Sequence, residues 1–559
     1  MEAQEASSAW TAQPRNTVGL AVGLGLLAAV LLWATVARVP WALSDSVAYV
    51  DAARGVLAGR GLVVRESPEH WVPLAHYPPL YPLLLAALMR GAGLSWLTAA
   101  RILDAAMYGL FVAGLVWVGL RAFPRRPGWG LGLAAAVALQ PAVLQHMSGV
   151  MTEPPFLALA VVTWAAAWAY GRTRRAAWWW VAVAAAALSL LVRYAGLYYL
   201  AALPAALMLA PLPRRVRIRR AAEAWAVLLA TYGAWNLYMR AQGNGLQFAV
   251  PTAAEVLTKA YAFVAALPPA FWNGWVRWRG WFRHPWSLAV PWLLVGLSLA
   301  ATLALARRAR IRPPTPQAAA AQAGALAGAF GHLYAAFFFV ASLVRRPEPD
   351  FTPRVMLPWF VFGLLAAGYA LAVDLDARRR GWSPRARRAL DLAWTAALVG
   401  FVLYALPQIH RFDQLLRDAS YTGPQWRHPA TWAFLRAWPQ DIPLVTNAPE
   451  PILLWADRPA YRLQEFAQAM PVRGPLGYRE AVDPNHRRFI AGQAAAVYMR
   501  PAWDWVRRLY AQRSDEVVDL LFRRYTPCYE DAVIELYYLG PQAERLCPLG
   551  PTEYHHPRR

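Results

Sequence analysis

Charge is scarce in this sequence: only 16% of its 559 residues are Asp, Glu, Lys or Arg, against about 25% in a typical soluble chain. Acids are rarest, 32 against 56 basic residues, and Lys259 is the single lysine. That bias reads as base composition or heat adaptation and carries no function. Cysteine occurs twice, at Cys528 and Cys547, too few for a stapled scaffold, and no Cys/His cluster has zinc-site spacing. The two either pair, if that end meets an oxidising compartment, or stand as reduced thiols. A glycine-rich phosphate loop and an internal repeat are both missing, which argues against loop-type nucleotide enzymes and solenoids.

Apolar sequence is abundant. The chain is 58% hydrophobic and contains several runs of the roughly 18 or more residues that cross a ~30 Å hydrocarbon layer. It reads as a polytopic membrane protein. The formal charge of +24 would point to nucleic acid in a soluble chain. Here the arginines fill short loops between apolar runs, as the positive-inside rule expects, so no nucleic-acid partner is expected.

Candidate spans lie at about 17–39, 97–121, 128–145, 154–170, 176–192, 195–211, 221–240, 286–306, 318–343, 355–373 and 389–408. The first is long and lacks a small-residue cleavage site, so it is expected to remain as a transmembrane helix of the cell membrane. Five arginine-rich loops then fall on one side if there are about 11 spans and the N-terminus is cytoplasmic. They begin at Arg121, Arg172, Arg214, Arg307 and Arg378. The opposite, outer face receives the loop after the first span, the His146–Glu153 turn, Arg193, the loops 241–285 and 345–354, and the C-terminal tail. In 241–285, aromatics such as Trp272, Trp275, Trp278 and Trp281 alternate with Arg277, Arg279 and Arg283. This is either an interfacial belt or the wall of a lipid groove.

From about 409 the composition becomes that of a soluble domain. DIPLVTN, APEPILLWAD and RPAYRL read as strand, helix and strand, WDWVRRLYAQRSDEVVDLLFRRY as a helix, and AVIELYYLG as a further strand. The expected organisation is a transmembrane domain over 1–408 and an extracytoplasmic α/β domain over 409–559.

Several outer-face residues carry possible chemistry. Asp45 follows the first span, where an acid faces water or a polar cavity; equally, it could cap a helix beginning near Val47. Glu153 opens a span, where a carboxylate also suits the helix dipole. Arg193 and Arg354 stand at outer helix ends, away from the arginine loops; each could hold a phosphate or snorkel to headgroups. Asp104, inside the second span, is expected to meet a polar partner in the bundle.

The order Asp45-x-x-x-Tyr49-x-x-Ala52, Gly59-x-Gly61, Tyr77-Pro78-Pro79-Leu80-Tyr81 and Ala100-Arg101 resembles the GT-C glycosyltransferases. In particular it resembles the branch with the protein O-mannosyltransferases and lipid A aminoarabinose transferases. Thr152-Glu153-Pro154-x-Phe156, Val192-Arg193-Tyr194-x-Gly196 and Arg354-Val355-Met356-Leu357-Pro358 continue that order, so the resemblance covers most of residues 17–408. It implies a mainly α GT-C-like membrane enzyme, with a soluble α/β tail, that uses a polyprenyl-phosphate sugar donor. The acceptor (glycan, lipid or protein) is left open. Asp45 would be the catalytic base, with Glu153 as its helper or as a second ligand with Asp45 for a divalent ion (Mg, Mn or Zn). Two carboxylates alone make a poor metal site. Arg193 and Arg354 would hold the donor phosphate, with Tyr49, His76, Tyr77 and Tyr81 lining the substrate. Some relatives have Glu-Lys where this chain has His76-Tyr77, so details of donor binding do not transfer. A flippase of a lipid-linked sugar is the alternative, and it would predict an inverted repeat and midplane charges.

Overall fold

The protein is described by a computed structural model over residues 16–35, 40–74, 77–243, 247–248, 251–272, 286–311, 315–346, 354–463, 484–501 and 525–553. His76, residues 273–285 of the aromatic loop and most of the expected helix around 503–525 lie outside those residues. The chain forms two compact units, Met1–Pro40 with Ala75–Asp413, and Trp41–Leu74 with Gln414–Arg559.

In chain order, α1 (Asn16–Ala34) belongs to the first unit, and α2 (Ser44–Leu57), β1 (Val63–Arg65) and β2 (Trp71–Pro73) to the second. The first unit resumes with α3 (Leu80–Gly91), α4 (Trp96–Ala122), α5 (Pro127–Ala138), α6 (Pro141–Met147), α7 (Glu153–Thr173) and α8 (Ala176–Val192). A 3-10 turn (Tyr194–Tyr198) leads to α9 (Tyr199–Leu209), α10 (Arg214–Ala241), β3 (Gln247–Phe248) and α11 (Ala253–Trp272). Then come α12 (Trp286–Ile311), α13 (Pro316–Val344), β4 (Arg345–Arg346), α14 (Leu357–Arg378) and α15 (Pro384–Ala419).

Each expected span overlaps helix within the described residues. Among the described residues, five helices are long and apolar enough to cross a membrane, or six if the bent pair α5/α6 is one span. The chain is an integral membrane protein. Helix α7 is its centre: 89% of its apolar window is buried, against 17% for α1. Trp164 and Trp168 are fully buried on α7. Their indole N–H groups donate to Ala323 O (3.0 Å) and Ala319 O (3.1 Å) of α13, which satisfies the one polar atom each ring carries into the apolar core. Helices α1 and α4 meet at glycine: a Cβ on Gly25 would lie 2.6 Å from Gly109 O. Such close backbone approach replaces the hydrophobic drive that lipid cannot supply.

The stretch 128–145 differs from the single span expected. It breaks between α5 and α6 with a 62° bend. Pro141 lacks the N–H that would continue the ladder, and the Gln140 side chain instead accepts from Ala142 N (2.6 Å), restarting a helix.

The second unit continues with α16 (Pro429–Ala437), β5 (Leu444–Thr446), α17 (Pro449–Ala456) and β6 (Tyr461–Arg462), then α18 (Pro484–Ile490), β7 (Ala495–Met499), β8 (Tyr529–Glu530), β9 (Ile534–Tyr537) and α19 (Ala543–Leu546). Its sheet runs β6-β5-β7-β9-β8. Strands β6, β5 and β7 are parallel, while β9 pairs antiparallel with β7 and β8. The β5-α17-β6 crossover is the βαβ element read from the sequence. Strand β7 carries no strand signal in the sequence: AAVYM is buried on both faces and so shows no alternation. Cys528 and Cys547 are joined in a disulfide, with Cα atoms 4.7 Å apart.

Candidate active site

The bend at Pro141 turns α6 away from α5 and leads through residues 148–152 into α7, which opens with Glu153. Glu153 is 3% exposed, and its Oε1 takes two guanidinium groups. Arg193 donates Nη1 to it, and Arg354 brings Nε to 3.1 Å. Its Oε2 is buried with no hydrogen-bond partner among the described residues. Arg193 also donates to Thr152 Oγ1 (3.3 Å) and lies 5.9 Å from the Phe156 ring centre, while Arg354 Nη1 is 3.9 Å from Met151 Sδ. The cluster is therefore assembled from the end of α8, the turn before α14 and the start of α7.

Local sequence explains why each arm arrives. Arg193 ends α8 in an extended conformation (φ −147°, ψ 138°), and the 3-10 turn follows at once. Gly196 permits that reversal, since a Cβ there would lie 2.6 Å from Leu190 Cα. The Arg354 turn is pinned where Tyr334 donates to Val355 O at 2.7 Å. Buried His146 of α6 lies in the field of Glu153, Arg354 and Arg193. Asp104 on α4 is fully buried and in the field of Glu153. The polar partner expected for Asp104 is absent: neither oxygen has a hydrogen-bond partner among the described residues.

In the second unit, α2 carries Asp45 half-buried in its first turn, where Leu43 N donates to Ser46 Oγ (2.9 Å). Tyr49 is buried one turn on. Asp51, 1% exposed, grips Arg65 of β1: it accepts from the backbone N (2.6 Å), from Nε (2.8 Å) and from Nη2. Arg54 donates to Leu453 O (2.7 Å) and Leu454 O (2.9 Å) near the end of α17. Both arginines also pair with Asp457. Burial alone would lower Arg65, but the hydrogen bonds and charges of Asp51 and Asp457 outweigh it and raise its pKa. Between α2 and β1, Gly59 (φ 73°) and Gly61 (φ 83°) occupy the left-handed region that glycine enters without penalty. At its base, Ala42 N donates to Ser420 Oγ (2.8 Å) and Tyr421 N to Ala42 O (3.0 Å). The first interhelical segment thus folds as part of the C-terminal unit.

Against solved structures the chain aligns along nearly its whole length. ArnT from Cupriavidus metallidurans, bound to undecaprenyl phosphate, matches at TM-score 0.50 and 13% identity over 92% of this chain and 97% of that one. The fold is shared with that structure. An archaeal oligosaccharyltransferase, AglB from Archaeoglobus fulgidus, in complex with an inhibitory peptide and a dolichol-phosphate, aligns at TM-score 0.48 and 13% identity over 97% and 74%. The same oligosaccharyltransferase with Zn and sulfate aligns at 0.47 and 13% over 96% and 73%. No family model and no curated protein sequence matches the chain.

The expected residues fall in both units. Glu153, Arg193 and Arg354 meet in the first unit. Tyr77 and Tyr81 stand at the start of α3, Tyr81 fully buried, and Asp45 and Tyr49 are on α2 of the second unit. The clasp of Asp51, Arg54, Arg65 and Asp457 follows no motif in the sequence. An acid within an otherwise apolar helical pattern, Asp51, was the available signal. Among the described residues no three His, Cys, Asp or Glu side chains come together as a metal group.

Proposed function

We propose that the chain is a membrane glycosyltransferase that moves one sugar from a polyprenyl-phosphate carrier to an acceptor hydroxyl at the outer membrane face, with inversion. The observation that carries this is the double pairing of Arg193 and Arg354 on one buried carboxylate, set in a fold shared with a structure that holds undecaprenyl phosphate. Two guanidiniums and one carboxylate sum to a single positive charge. A phosphate arriving there meets two forked donors already held in place by Glu153.

In the reaction the bond between the anomeric carbon and the phosphate oxygen breaks, and its electron pair leaves on the polyprenyl phosphate. The acceptor oxygen bonds to the opposite face of that carbon and gives its proton to Asp45. Arg193 and Arg354 stabilise the charge that develops on the leaving phosphate. Tyr49, Tyr77 and Tyr81 are assigned to substrate binding in this reading. Oε1 of Glu153 is engaged by two arginines, and among the described residues no three His, Cys, Asp or Glu side chains group together; each step above runs through the chain's own side chains. The disulfide supports an outer-face location for the C-terminal unit, because such bonds persist in oxidising compartments.

The test is a transfer assay on lipid-reconstituted protein, using a panel of radiolabelled polyprenyl-phosphate sugars beside Asp45→Asn, with and without EDTA. Turnover of one donor, lost in the variant, is expected. Undiminished turnover by Asp45→Asn would remove the assigned base. The flippase reading draws on Asp104, a buried carboxylate inside a span. Labelled lipid crossing the bilayer without turnover would favour it.

A further inference from the structure

We infer that the first unit binds an anionic phospholipid at the end of the bundle opposite Glu153, with its phosphate held between Arg174 and Arg217. The two arginines line a cavity of about 590 Å³ together with Met208, Pro211, Leu212 and Pro213. Helix α7 has 21 residues, so at 1.5 Å per residue Arg174 stands about 30 Å along its axis from Glu153. This cavity is separate from the candidate active site.

Both guanidiniums are tied to one turn. Arg174 donates Nη2 to Pro211 O and Arg217 donates Nε to Leu212 O, each at 2.9 Å. An arginine has five N–H donors, so each keeps most of its fork for another acceptor. Neither meets a carboxylate among the described residues. Segments 172–175 and 214–220 hold eight arginines and no acid, and the next acid, Glu223, is engaged by Arg219 and Arg220. The positive-inside rule explains which face these arginines occupy. It does not require two of them to be fixed around one cavity by the same turn.

Backbone strain points the same way. Arg174 caps α7 with φ 56°, a conformation that costs a non-glycine residue about 1 kcal/mol or more and that helix ends usually give to glycine. Keeping arginine there retains a charge over the cavity. The rest of the cavity's lining is apolar, Met208, Ala210, Pro211, Leu212 and Pro213, and Met208 is 57% exposed on α9. A charged pocket bordering apolar surface suits an amphiphile with a phosphate head and acyl chains, as basic pockets at helix ends do for anionic lipids.

The experiment uses the full-length protein, delipidated in a neutral detergent. Phosphatidylglycerol, phosphatidylcholine or inorganic phosphate is added, and retention is read by native mass spectrometry and by the shift in thermal unfolding. Wild type is expected to retain one phosphatidylglycerol. Arg174→Ala/Arg217→Ala should bind it about 30-fold more weakly, the loss expected for two arginine–headgroup attractions, while Arg174→Lys keeps most of the binding. Equal retention by the double variant, or equal retention of phosphatidylcholine by wild type, would overturn the assignment. Stabilisation by inorganic phosphate alone would make the cavity a soluble-anion site and overturn the lipid. None of these readouts depends on sugar transfer.

Discussion

Replacing Asp51 with Asn removes the charge that holds the Asp45-bearing helix to its hairpin. Asp51 is 1% exposed and accepts three hydrogen bonds from Arg65, whose own side chain is 11% exposed. Stripping one partner from a buried pair costs about 3–5 kcal/mol, because the remaining charge is left desolvated. Asp457 still contacts Arg65 but is 55% exposed, so its attraction is largely screened and the low end, about 3 kcal/mol, applies. At 1.4 kcal/mol per tenfold, amides of α2 and β1 should exchange about 150-fold faster in Asp51→Asn. Amides of β7, in the centre of the sheet, should be less affected. Hydrogen exchange on the lipid-reconstituted full chain measures this. The paired variant Asp51→Leu/Arg65→Met, which buries no lone charge, should recover most of the protection. A change below threefold in Asp51→Asn would refute the argument that this pair holds α2.

Four further outcomes follow from the geometry. Arg354→Lys keeps the charge but cannot reproduce a planar fork on Glu153 and a phosphate, so donor turnover should fall about tenfold or more with the fold intact. Gly196→Ala forces a Cβ to within 2.6 Å of Leu190 Cα; the shifted turn should cost about 1–3 kcal/mol in thermal unfolding and displace Arg193. Replacing Cys528 and Cys547 by Ser opens a loop with a sequence separation of 19, which should destabilise the C-terminal unit by about 3 kcal/mol in the loop-entropy model; reductant should reproduce the loss in wild type. Burial would raise the Asp531 carboxyl, but hydrogen bonds from Thr431, the N–H groups of Ile534 and Val533, and Tyr529 outweigh it and lower the pKa. In acid the unfolded chain then binds the proton first, so this stability is present above about pH 4 and lost as pH falls through the depressed value. Thermal unfolding of Asp531→Asn against pH should lack that acid-side slope.

Helix positions were legible because each span announces itself locally: about 20 apolar residues satisfy lipid and their own backbone without reference to the rest of the chain. The βαβ element in the tail was legible for a similar reason, through short apolar runs separated by turn residues. Strand β7 was hidden because an all-buried strand has no periodicity. The break at Pro141 sits inside a run apolar enough for one span, so composition masked it.

By itself the sequence determined that this chain lives in a membrane, roughly where its helices lie, and that Glu153, Arg193 and Arg354 stand at helix ends out of keeping with the arginine loops. Those properties depend on solvation of local segments. Only the tertiary structure decided that the two arginines share one carboxylate oxygen, since their positions are 40 and 201 residues from Glu153 in the chain and meet only when α7, α8 and the turn before α14 pack together. It also decided that residues 41–74 fold with the C-terminal unit, because Arg54 and Arg65 meet Asp457, 392 residues beyond Arg65 in the chain, through burial and charge, which no local pattern records.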